Sequence, residues 1–191
     1  PKVTAVAGDG KVTLYWDRSA ENSKDKYMGN ITNGVDLYDF EGYKIYRATD
    51  FEFNDAYNIT DGDGNPTFLE PYVQDGVRAQ WDLINGKSGW HPVDLNGIKY
   101  YLGNETGLVH SYIDTDVVNG QRYYYAVVSY DYGGDLTNNI IPSDSPMKLR
   151  VNPLTGAVSL GPNVVEVVPS PPSAGFVDAS FAGGQVDHVS G

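Results

Sequence analysis

Residues 120–131, Gly-Gln-Arg-Tyr-Tyr-Tyr-Ala-Val-Val-Ser-Tyr-Asp, constrain the fold more than any other stretch of the chain, because aromatic and β-branched side chains dominate them without a helical period. The segment reads as a strand. Tyr123, Tyr125, Val127 and Ser129 fall on one face, and Tyr124, Ala126, Val128 and Tyr130 on the other. Asn119-Gly120 before it and Gly133-Gly134 after it carry turn chemistry, so both ends are bounded.

Two further segments share this character. Lys11-Val-Thr-Leu-Tyr-Trp16 places Val12, Leu14 and Trp16 on one face, and Gly8-Asp9-Gly10 makes a tight turn back to the short alternation Val3 to Ala7. Phe40 to Arg47 alternates Tyr43, Ile45 and Arg47 against Lys44 and Tyr46. Together with the Tyr-rich strand, these segments resemble the B, C and F strands of a fibronectin type III domain. The resemblance implies an all-β, immunoglobulin-like antiparallel sandwich over residues 1–152, with Trp16 in the core. It implies that Tyr123 is the corner tyrosine, its ring buried and its hydroxyl bonded to upstream backbone. It also implies an E strand within His110 to Asp116, an approach through Ile140 to Ser143, and a closing G strand at Met147 to Val151.

That frame leaves two long insertions and a tail. Residues 17–39 are rich in Ser, Asn, Lys, Asp and Gly, and read as a surface decoration or a functional arm. Residues 49–109 carry Phe51, Phe53, Phe68, Tyr72, Trp81, Trp90 and Tyr100, too much apolar area to leave in water. They are expected to form hairpins or a cap, with Gln80 to Ile84 and Ile98 to Leu102 as strands. Residues 153–191 are punctuated by Pro and Gly and are expected to form an extended tail or linker. Within it, Val164 to Val168 and Phe176 to Phe181 are strand-like and suited either to lying along another copy of the chain or to packing on their own sandwich.

The chain has 191 residues and a formal net charge of −12, with 25 Asp+Glu against 13 Lys+Arg. Such a surface repels phosphate backbones and anionic lipid, so nucleic acid is not an expected partner. Its carboxylates suit solubility or hard cations. With no cysteine, disulfides, thiolate zinc sites and cysteine nucleophiles are all excluded. No apolar run approaches a membrane span, and the opening Pro1-Lys2-Val3 reads as a mature or excised piece.

The most suggestive chemical motif is Asp61-Gly-Asp63-Gly-Asn65, whose alternate oxygen side chains could gather around Ca²⁺ as in the first half of an EF-hand loop. Glu70 falls at loop position ten rather than twelve, and a metal-free Asp-Gly turn is the alternative reading. Trp81 and Trp90 are candidates for stacking on sugar rings, with core packing as the alternative. Asn30, Asn58 and Asn104 each open an N-glycosylation sequon. Asp36, Asp39 and Glu41 form a carboxylate group of the kind glycosidases use, but so acidic a chain contains such groups by chance. His91, His110 and His188 share no metal-ligand spacing, and no nucleophile elbow or phosphate loop is present.

The expected function is therefore non-catalytic: a structural or interaction module of an extracellular or cell-surface bacterial assembly, with protein partners that include neighbouring domains or further copies, one form of which is a filament joined by strand addition. A carbohydrate-binding module accessory to a secreted enzyme is the alternative.

Overall fold

The computed structural model describes residues 1–25, 30, 38–173 and 175, and its named elements are all strands. In chain order these are β1 (Val3–Gly8), β2 (Lys11–Trp16), β3 (Phe40–Ala48), β4 (Asn58–Thr60), β5 (Pro66–Leu69), β6 (Val73–Gln74), β7 (Val77–Arg78) and β8 (Gln80–Asp82). They continue with β9 (Gly89–Leu95), β10 (Ile98–Gly103), β11 (Ser111–Asp114), β12 (Tyr123–Asp131), β13 (Leu149–Val151), β14 (Val158–Leu160) and β15 (Val164–Val167).

Two antiparallel sheets carry the architecture. One is three-stranded in the order β1-β2-β11, and the other is four-stranded in the order β15-β12-β3-β8. The alternation seen in the sequence points Val12, Leu14 and Trp16 at the second sheet, where they pack with Tyr43, Ile45, Tyr123, Tyr125, Val127 and Val167. Trp16 is buried as expected, with its ring against Tyr43 and Trp81. The Tyr123 hydroxyl accepts the Val118 N–H at 3.0 Å, tying the strand to the corner that precedes it.

An ion pair bolts the two sheets together. Arg47 on β3 reaches Asp114 on β11 at 2.9 Å, and the Asp114 carboxylate also accepts the Tyr125 hydroxyl at 2.7 Å, the Tyr72 hydroxyl at 3.2 Å and the Asp116 N–H at 2.9 Å. Asp114 is fully buried, and the Arg47 guanidinium lies 3.9 Å over the Tyr72 ring. Charge-assisted hydrogen bonds on every side are what make a buried carboxylate tolerable.

The second sheet is covered on both faces. On its outer side Tyr46, Ala48, Tyr124, Ala126, Val128 and Val164 pack with Phe53 and Ala56. This explains why Tyr123 to Val128 is apolar at every position: a strand buried on both sides loses the polar half of its alternation. The insertion at 49–109 supplies much of the cover as hairpins. Asn96-Gly97 joins β9 to β10 and Asp75-Gly76 joins β6 to β7, each with both residues at positive φ, the backbone of a tight two-residue turn. The expected strands at 80–84 and 98–102 are present as β8 and β10.

The C-terminal expectations need correction. Leu149–Val151 does not close the sandwich; it pairs with Val158–Leu160 in a separate hairpin. Val164–Val167 takes the place beside β12, with Tyr123 opposite Val167 and Ala126 opposite Val164. This stretch therefore completes its own chain's sheet rather than lying along a neighbour, because Val164 and Val167 bury on opposite faces of that sheet. The core thus extends past residue 153, and Phe176 to Phe181 lies outside the described residues.

The path of the chain has a definite polarity. It enters with the Lys2 N–H on Asp17 and the Val3 N–H on Pro162, at the end of β2. Both β1 and β15 then run toward the opposite pole. There the Gly10 N–H meets Asn119 at 2.9 Å, and the Pro169 carbonyl accepts the Gly120 N–H at 2.8 Å.

Candidate functional site: an acidic cleft at the entry pole

The β3–β12 ladder breaks register near its end: Gly42 faces Tyr130, but Phe40 faces Asp131. The irregularity brings Asp39, immediately before β3, beside Asp131 at the end of β12. Asp25 approaches from the stretch that follows β2, and one carboxylate oxygen from each of Asp25, Asp39 and Asp131 lies within 4.8 Å of the others. These residues, with Ser23, Ser143 and Asp144, line a cleft of about 480 Å³.

The three carboxylates are not equivalent. Asp131 is held by Ser143, whose N–H and hydroxyl donate at 2.8 and 2.6 Å, while its burial pushes its carboxyl up. Asp39 is only 7% exposed, and its Oδ2 is buried without a hydrogen-bond partner. Burial first, then the charges of Asp131 and Asp25, push the Asp39 carboxyl up to about 6.

The cleft wall continues into a closed polar network. Lys44 Nζ on β3 is buried 3.4 Å from Asp144 Oδ1 and 3.7 Å over the Tyr100 ring, while the Tyr46 and Tyr100 hydroxyls donate to the same carboxylate. Burial lowers the Lys44 pKa and Asp144 opposes the shift. Enclosed by rings, this amine is a structural cation and not a nucleophile open to substrate.

Other carboxylates serve the fold. Glu41 is fully buried, with Oε2 accepting the Asn85 amide at 3.1 Å and Oε1 unpartnered, and burial pushes its carboxyl up to about 7. Asp82 accepts the N–H groups of Glu105 and Thr106 at 2.6 and 2.8 Å.

The predicted calcium loop is the turn between β4 and β5. Asp61 Oδ1 accepts the N–H groups of Asp63 and Asn65 at 3.0 and 2.9 Å, and Oδ2 accepts the Asn96 amide at 3.1 Å. These bonds hold the Asp61 carboxyl below its usual range. The Asn65 side chain presents its amide nitrogen to Asp61, so the turn is closed by N–H donors gathered on the Asp61 carboxylate.

Trp81 is half-buried against Trp16 and Tyr112, whereas Trp90 is exposed, edge-on to Tyr101 at 5.1 Å. Trp81, Tyr101 and Tyr112 line a groove of about 540 Å³ with Gln74, Asn104 and Thr106, and Trp90 lies outside that lining. Asn58 and Asn104 are exposed, but the Thr106 hydroxyl of the second sequon is engaged with Asp82 at 2.8 Å. Ile31-Thr32 of the Asn30 sequon, together with Asp36 and His188, lies outside the described residues. His91 is buried and bonded to the carbonyls of Val93 and Gly134, and His110 pairs with Glu21 at 2.5 Å, so both are structural.

Sequence reasoning did not single out Asp25 and Asp131. A signal for the second exists: Tyr38-Asp39-Phe40 and Tyr130-Asp131-Tyr132 each put an Asp between aromatics at the paired ends of the two strands. No family model, curated protein or solved structure matches the chain.

Proposed function

We propose that the chain is a non-catalytic structural and interaction module of the fibronectin type III kind, acting as a spacer that displays its inserted hairpins within an extracellular or cell-surface assembly. The observation that supports this reading is the placement of two described segments: Lys2 lies beside Asp17 at one pole of the sandwich and Pro169 beside Gly120 at the opposite pole. A tension applied between these two segments passes through the whole sandwich. The strand orders β1-β2-β11 and β15-β12-β3-β8 support the fibronectin reading, since they correspond to A-B-E and G-F-C with one added edge strand.

Because the chain has no cysteine, Lys2→Cys with Ser170→Cys takes a spin label at each pole selectively. The expected separation is about 25–35 Å, from strands that rise about 3.3 Å per residue. A separation under about 15 Å would sink the spacer reading. The groove beside Trp81, with amide and hydroxyl groups next to aromatic rings, favours carbohydrate as a second reading. Glycan-array binding that disappears in Trp81→Ala would establish it in place of the first.

A further inference from the structure

The acidic cleft at the entry pole holds a feature that neither the fold nor the spacer reading uses. Asp39 is more than nine-tenths buried, yet its Oδ2 meets no donor, while Asp25 and Asp131 each bring an oxygen within 4.8 Å of an Asp39 carboxylate oxygen. Unpaired buried carboxylate oxygens are costly, and a group of like charges adds repulsion. Among the described residues, Lys24 lines the cleft with its amine 5.6 Å over the Tyr38 ring, and the Lys87 amine lies 3.8 Å over Tyr132 and offsets only part of the upward shift at Asp39. We propose that Asp25, Asp39 and Asp131 form a binding site for a divalent cation, with Ca²⁺ as the ion that fits.

The donor chemistry selects the class of ion. Carboxylate oxygens gathered within 4.8 Å of one another suit a hard divalent cation, and Ca²⁺, which accepts flexible oxygen coordination, fits an open cleft better than Mg²⁺, which demands a stricter octahedron. The donors are all oxygen, which excludes a preference for soft metals. Ser143 already orients Asp131 from behind through both of its oxygens, the outer support that positions a metal-binding carboxylate. The cleft is open, so water completes the coordination. Bound there, the ion ties the segment after β2 to the ends of β3 and β12, which stiffens the pole where the chain enters.

Three protein carboxylates in an open cleft predict a dissociation constant on the order of 10⁻⁴ to 10⁻³ M, the range of extracellular calcium modules. The test is calorimetric titration of the chelator-treated full chain with CaCl₂ at neutral pH, alongside Tb³⁺ emission excited through nearby tyrosines such as Tyr130. One site is expected, with Asp39→Asn and Asp131→Asn each weakening binding by about tenfold or more, about 1.4 kcal/mol. Asp39→Asn leaves folding intact, since it removes a charge that burial and the neighbouring carboxylates disfavour; circular dichroism verifies this, and Asp25→Asn provides a second variant away from the strands. Absence of heat and of Tb³⁺ emission at millimolar ion overturns the proposal. So does binding that survives Asp39→Asn and Asp25→Asn but vanishes in Asp63→Ala, which assigns the ion to the turn between β4 and β5 instead.

Discussion

Replacing Asp114 by alanine tests the ion pair that joins the two sheets. The residue is fully buried, and its carboxylate answers Arg47, Tyr125, Tyr72 and the Asp116 N–H at 2.9, 2.7, 3.2 and 2.9 Å. Hydrogen bonds to a charged acceptor contribute about 1.5–3 kcal/mol each, and deleting one partner of a buried pair costs about 3–5 kcal/mol. The separate bonds do not sum, because Arg47 keeps its contacts to the Asp116 carbonyl at 2.6 Å and carboxylate at 3.2 Å. The Tyr125 hydroxyl, on a fully buried residue, has no such reserve. The expected loss is therefore about 3–4 kcal/mol for Asp114→Ala. Asp114→Asn should lose less, since one acceptor oxygen survives while the new amide faces the Arg47 and Tyr donors. Urea denaturation followed by tryptophan fluorescence measures both, because Trp16 and Trp81 sit in the same core cluster. The cycle with Arg47→Met should give a coupling of at least about 1 kcal/mol. A loss below about 1 kcal/mol for Asp114→Ala, with unchanged m-value, would refute the idea that this pair holds the sheets together.

Two other outcomes follow from buried groups. Glu41 titrates near 7 in the folded chain against 4.5 unfolded, so between those values the folded state retains a proton that the unfolded state has released. Stability should fall as pH rises from about 4.5 to about 7 and level off above, and Glu41→Gln should flatten that slope by about 1–2 kcal/mol after allowance for solvent screening; an unchanged thermal-melt profile between pH 6 and 8 would contradict it. Gly42→Ala should destabilise by several kcal/mol or block folding, because its Cβ would meet the Trp81 carbonyl oxygen at 2.2 Å and the Tyr130 ring at 2.8 Å. A melting temperature within a degree or two of the parent would show that β3 and β8 separate easily there.

Local alternation and turn chemistry were enough to locate β1, β2, β3, β8, β10 and β12, since strand formation follows from periodicity within one segment, while the burial of Trp16 was an expectation from the fibronectin resemblance. The Tyr123 corner bond was likewise expected from the resemblance, and it is a local one, its acceptor and donor lying only five residues apart in the chain. Other features were decided by contacts between distant segments. Met147 to Val151 and Val164 to Val167 have similar β-forming character, and only the free edge of β12, flanked by apolar surface on both faces, selected the second. Charge placement was also hidden. Asp114, Glu41 and Asp39 look in sequence like any of the 25 acidic residues. Their burial depends on where Arg47, Asn85 and Asp131 arrive from elsewhere in the chain. An isolated carboxylate prefers water, so whether it is paired, neutralised or left open to a cation is set by the tertiary structure around it and not by its neighbours in sequence.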